Sequence, residues 1–198
     1  MHSITLRSLK CSPLLVVISL VAQGGDITGT ISGGKGIAVV YVEAVVGKTF
    51  PLPATPFEMN QKSLLFQPHI LAAPVGATVE FLNSDNVAHN IFWPAVNGNK
   101  KLGHNLGTWP TGQKRAFKFD TAGIVPLLCN VHPEMSGYII VTPTPFYAES
   151  DESGAFKIAN VPDGAYTVTA WREGMKLQSK PVTVTVAGAG KLDFALVK

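Results

Sequence analysis

Cys129, His132 and Met135 fall within the seven-residue stretch Cys129-Asn130-Val131-His132-Pro133-Glu134-Met135. A thiolate, an imidazole and a thioether are soft donors, and together on one short loop they select copper or zinc over magnesium or calcium. One further imidazole completes a set of two histidines, one cysteine and one methionine. In that set a copper ion sits in a trigonal plane of two nitrogens and a thiolate, with a long axial sulfur. The further histidine must come from elsewhere in the chain. His89 is best placed, because it opens the β-like run His89-Asn90-Ile91-Phe92 directly after the turn-forming cluster Asn83-Ser84-Asp85-Asn86.

The elements that must hold these donors read as strands. Gly 19 and Pro 14 with 15% charged residues suit many short strands and turns, and 198 residues allow one large or two small domains. From Asp26 two strands are expected at residues 27–31 and 37–42, joined by a Gly-rich turn, and then three prolines at 51, 53 and 56 interrupt any regular ladder. Residues 59–81 give two further strands and 97–112 a polar, Gly-rich loop. Residues 115–119 alternate cleanly, 123–129 are apolar, and 137–141 continue beyond the ligand loop. No helix of any length is needed.

Residues 1 to about 24 read as an export signal. Arg7 and Lys10 precede an apolar stretch too short to span a bilayer, and Ala22-Gln23-Gly24 offers small residues for cleavage; an uncleaved anchor is the alternative. Cys11 and His2 leave with that segment, so Cys129 is the single cysteine of an exported chain. Such a cysteine is a reactive thiol, an intermolecular disulfide or a metal ligand, and His132 and Met135 beside it point to a ligand. The net charge of +3 and the absence of a run of basic residues argue against nucleic acid.

The loop Cys129-x-x-His132-Pro133-x-Met135, with His89-Asn90-Ile91 and the upstream run Pro74-Val75-Gly76-Ala77-Thr78-Val79-Glu80-Phe81-Leu82-Asn83, resembles the cupredoxins. Two residues rather than four separate His132 from Met135, which is similar to amicyanin rather than plastocyanin. The resemblance covers about residues 59–142. It implies a Greek-key β-sandwich holding one Cu(I)/Cu(II) ion, with Cys129 as the thiolate, His89 and His132 as neutral imidazoles in the plane, and Met135 as the weak axial donor. It further implies that Asn90 and Asn130 tie the two ligand-bearing segments together, and that His132 presents the exposed ring edge. Two residues depart from the pattern. Pro126 stands in a strand that cupredoxins keep central, where a proline cannot donate to a ladder, so a bulge or an unpaired neighbour is expected. Val131 stands where amicyanin has a proline.

After Thr144 the texture changes. Residues 150–158 and 161–171 resemble the later strands of the transthyretin-like, carboxypeptidase regulatory-like sandwich, whose first strands would be residues 27–31 and 37–42, more than a hundred positions earlier. A 55-residue tail is small for a free-standing sandwich. The expected organisation is therefore all-β, with a cupredoxin sandwich at 51–143 inserted into a smaller discontinuous sandwich at 25–50 plus 144–198. The alternative is two domains in tandem, with residues 27–42 opening the first.

Four residues outside the ligand set have simpler readings. His69 could bind a second metal with Met59 or be a surface or hydrogen-bonded histidine. His104 lies on the expected loop without ligand-type neighbours, and Trp171 and Phe156 read as core residues of the second sandwich. The whole describes an exported electron-transfer protein, not an enzyme, since four protein ligands leave no open metal position. Redox proteins would be its partners, and no membrane span would remain after signal cleavage. A copper carrier or store, and a binding module on a metal-free scaffold, are the alternatives.

Overall fold

The computed structural model describes residues 24–185 and 188–198. The expected export signal, with His2, Arg7, Lys10 and Cys11, lies outside the described residues. In chain order the strands are β1 (Gly25–Ser32), β2 (Ala38–Val42), β3 (Phe57–Lys62), β4 (Leu65–Gln67), β5 (Ile70–Pro74), β6 (Thr78–Asn83), β7 (His89–Trp93), β8 (His104–Trp109) and β9 (Lys114–Lys118). They continue as β10 (Gly123–Leu128), β11 (Ser136–Thr142), β12 (Tyr147–Glu149), β13 (Ala155–Val161), β14 (Gly164–Arg172), β15 (Gln178–Val184), β16 (Gly190–Lys191) and β17 (Phe194–Ala195). One 3-10 turn, Lys100–Leu102, is the helical element among the described residues.

Four sheets result. Strands β4-β3-β6-β9 and β5-β11-β10-β7-β8 face each other across a core that includes Met59, Phe81, Ile91, Trp93, Leu127 and Ile139. Strands β12-β2-β14-β15 face β13-β1-β16, with β17 also on β1, across Ile27, Ile31, Val40, Val168, Ala170 and Phe194. The chain thus pairs β1 with β13 and β2 with β12 and β14, and everything from β3 to β11 pairs within itself.

The two sandwiches share a third core. Side chains alternate across a strand, so Ala38, Val40 and Val42 of β2 enter the second sandwich while Val39 points to the opposite face. Val39 and Trp171 there meet Ile70, Ala72 and Ile140 of β5 and β11, with Tyr138 against Trp171 at a ring-centroid distance of 5.1 Å. Trp171, expected inside the second sandwich, belongs instead to this junction, because it has opposite parity to Val168 and Ala170 on the same strand. Strands β2 and β14 are covered on both faces, which explains their near-continuous apolar runs.

Two strand assignments change. Residues 59–81 hold four strands, not two: β3 and β4 form a hairpin whose turn residues Ser63 and Leu64 both have φ +58°. Such a turn usually carries Asn or Gly, so its sequence gives no sign of it. The 97–112 segment contains edge strand β8, paired with β7 and exposed along most of its length, which removes the apolar alternation that would mark it. At Pro126 the pairing with β11 runs through without a bulge, and it is the ladder to β7 that is reduced to Leu128 opposite Phe92.

Candidate metal centre

Strand parity aims the donors. In β7 the inward positions are His89, Ile91 and Trp93, at 0%, 0% and 1% exposure, so the register that buries the apolar pair also buries the imidazole. In β10 Val125 and Leu127 point inward, and the next position of the same parity is Cys129, 3% exposed. The β10–β11 connection then carries His132 back over the site, and the amide of Met135 donates to the carbonyl of His132 at 3.0 Å, closing a tight turn.

Together these elements bring His89, Cys129 and His132 into one group, with one donor atom from each lying within 4.8 Å of the others. The two Nδ1 atoms face each other at 3.0 Å, and the rings meet edge to face at 4.8 Å. Two imidazole nitrogens that close share either a proton or an ion. One ion at metal–nitrogen bonds of ~2 Å spans a gap of that order. His89 is fully buried and His132 half-buried. Met135 is fully buried in the same core as Cys129.

His89 is fixed from behind. Its Nε2 lies 2.8 Å from Oδ2 of Asp85, so the ring donates there and leaves Nδ1 with its lone pair toward Cys129 and His132. Asp85 in turn accepts the amides of Ser63 at 2.6 Å and Leu64 at 2.9 Å, the two turn residues with positive φ. Burial pushes the Asp85 carboxyl up, but the Leu64 amide, His89 and the Ser63 amide outweigh it and hold it below the usual carboxylate range. The loop between β6 and His89 is set by buried Asn83, whose Nδ2 donates to the carbonyls of Val87 and Trp109 and whose Oδ1 accepts from Asp85.

Asn90 joins the two ligand segments. Its Oδ1 accepts the amide of Asn130 at 3.4 Å, and its Nδ2 donates to Asn105 Oδ1 and to the carbonyl of Gly107, both at 2.9 Å. Asp85 carried no expected role. A carboxylate inside the turn cluster, four residues before the candidate ligand His89, is the signal that could have found it. His69 lies apart from this group and pairs with Glu173 at 2.8 Å, while Met59 is buried in the core. His104, at the head of β8, stacks on Phe117 at 4.8 Å.

Residues 138–197 match the carboxypeptidase regulatory-like domain. That match begins on β11, whose partners are β10 and β5, and continues through the second sandwich. Among solved structures, a Cu(I) form of an amicyanin mutant is 21% identical, with 43% of this chain and 81% of that chain covered at a TM-score of 0.40. A purple cupredoxin from Nitrosopumilus maritimus is 28% identical, covering 43% of this chain and 99% of that chain at a TM-score of 0.39. A copper-containing nitrite reductase from Thermus scotoductus is 27% identical over 50% of this chain, which spans 25% of that chain, at a TM-score of 0.41. No curated protein matches. No helix among the described residues is long and apolar enough to cross a membrane.

Proposed function

We propose that this chain is an exported electron-transfer protein with one copper ion held by His89, Cys129, His132 and Met135, and that it is not an enzyme. The observation that carries the reading is the convergence of two Nδ1 atoms at 3.0 Å with the Cys129 sulfur in one buried group. The donor chemistry suits the ion, since thiolate and imidazole select copper and a thioether favours its reduced form. A copper ion held there would take up and release a single electron. The protein's part is to keep the donors still. Asp85 fixes the ring of His89, Asn90 ties its strand to the residue after Cys129, and burial keeps water from the thiolate. His132, the more exposed of the two rings, gives electrons their way in and out toward a redox protein partner.

In this reading the copper unit, residues 51–143, is inserted into a second sandwich built from 25–50 and 144–198, an arrangement supported by the separate strand pairing of the two parts. The test is spectroscopic. The copper-loaded protein should show an intense visible thiolate-to-copper band and the matching EPR signal, and Cys129→Ser should lose both. A Cys129→Ser protein that stays coloured would overturn the ligand assignment. A carrier that hands over Cu(I) would need mobile ligands, and the braces on His89 and Asn90 favour a rigid site. Fast electron self-exchange with little copper lost to a Cu(I) chelator is the expected result.

A further inference from the structure

Arg172 is the last residue of β14 and only 4% exposed. An arginine cannot shed its charge by deprotonation, so a buried guanidinium needs anionic or carbonyl partners. Its Nη1 donates to the carbonyl of Gly33, but its Nε is buried without a partner, and no carboxylate among the described residues forms an ion pair with it. Other buried polar residues of the second sandwich do find partners: Thr169 bonds Glu43 and Ser179, and Ser150 accepts the amide of Ala38.

The uncompensated charge forms part of the wall of a cavity of about 240 Å³ at the tip of the second sandwich, where the β1–β2 connection approaches the turn after β12. Lys35 adds a second cation and Glu152 one carboxylate to the lining. The neighbouring Asp151 is committed to its own turn, accepting Ser153 Oγ at 2.6 Å and the Ala155 amide at 2.9 Å. The connection passes the guanidinium through Gly33 and Gly34, at φ +84° and +76°. A Cβ on Gly34 would stand 3.1 Å from Cδ of Arg172 and from the sulfur of Met175, so a side chain there would crowd the arginine.

We propose that this cavity binds a small oxyanion, a phosphate or carboxylate group, on Arg172 and Lys35. Both groups match the planar fork of a guanidinium, and the cavity holds a free ion or the anionic end of a larger molecule. The site belongs to the second sandwich and does not depend on the metal.

The test is calorimetric titration of the full-length protein with inorganic phosphate and, in a separate arm, with acetate, at constant ionic strength. Saturable binding of phosphate alone, of acetate alone or of both supports the proposal and identifies the class of anion. Lys35→Glu reverses an exposed charge and should weaken that binding roughly tenfold. Arg172→Met should abolish it, and because that change is buried, its folding is checked by thermal melting. If Arg172→Met does not fold, Lys35→Glu reads the site alone. Failure of both anions to bind saturably overturns the proposal, as does wild-type affinity in Lys35→Glu.

Discussion

The two sandwiches bury different things. The interior of the first holds His89, Asn90, Asn83, Gln61 and the sulfurs of Cys129 and Met135 among its aromatics, and the polar groups cluster where the β6–β7 and β10–β11 connections meet. The second buries a mainly aliphatic core with Phe156 and Phe194, and its buried polar residues include Ser150, Thr169 and Arg172. Burying polar groups is costly unless each finds a partner. The first sandwich accepts that cost to aim donors, while the second supplies support, with its middle sheet packed on both faces.

The largest effect is expected at the junction. Trp171→Ala removes the biggest side chain there and should cost about 3–5 kcal/mol. Calorimetry should then resolve two melting transitions where a single one is expected for the native protein, with the copper spectrum unchanged. Loss of the spectrum as well would mean that the metal unit depends on the second sandwich for its fold.

Next in size is the support behind the proposed metal site. Asp85→Asn keeps the shape but removes the charge facing His89, and such outer partners typically contribute 10- to 100-fold to metal affinity. Competition with a chelator should show a loss in that range, and an unchanged affinity would reduce Asp85 to a turn-binding residue.

Acid should separate the two units further. Hydrogen bonds hold three carboxyls of the second sandwich below their ordinary range: Asp26 by Lys157, then the Asn160 amide; Asp151 by the Ser153 hydroxyl, then the Ala155 amide; Asp193 by the Thr30 hydroxyl, then the Thr30 amide. A carboxyl depressed on folding stabilises the protein above its unfolded pKa, near 4, and that contribution disappears as pH falls through the lower folded value. In the Trp171→Ala protein, the transition of the second sandwich should fall in temperature below about pH 4 and stay flat from pH 6 to 8. A steeper loss between pH 6 and 8 would show that these carboxyls do not set the pH dependence, since residues 25–50 and 144–198 contain no histidine.

The smallest effect is expected from His69→Gln. The His69–Glu173 pair bridges the two units but is about half exposed on each side, so its loss should change stability by under ~1 kcal/mol in equilibrium unfolding. A larger change would show that the junction relies on this pair as well as on Trp171.

The grouping of His89, Cys129 and His132 was legible because Cys129 and His132 lie on one loop and His89 opens a strand with inward parity. Asp85 was not, since its role depends on a hairpin turn 21 and 22 residues away at Leu64 and Ser63, whose residue types do not announce a turn. Strand β8 escaped because its exposed edge carries no apolar alternation. Trp171 was placed in the wrong core for a simpler reason. A run such as Val168 to Trp171 states that both faces are covered, but not which neighbour covers each.

The pairing of β1 and β2 with β13 and β14 also sets a timetable. On the ribosome, β2 emerges more than a hundred residues before β14, which at roughly 5–20 residues per second is about 6–25 s. All of β3 to β11 is synthesised within that interval. The part that carries the cysteine therefore has every partner it needs while the first two strands are still waiting with open edges, and the second sandwich closes only when the last third of the chain arrives.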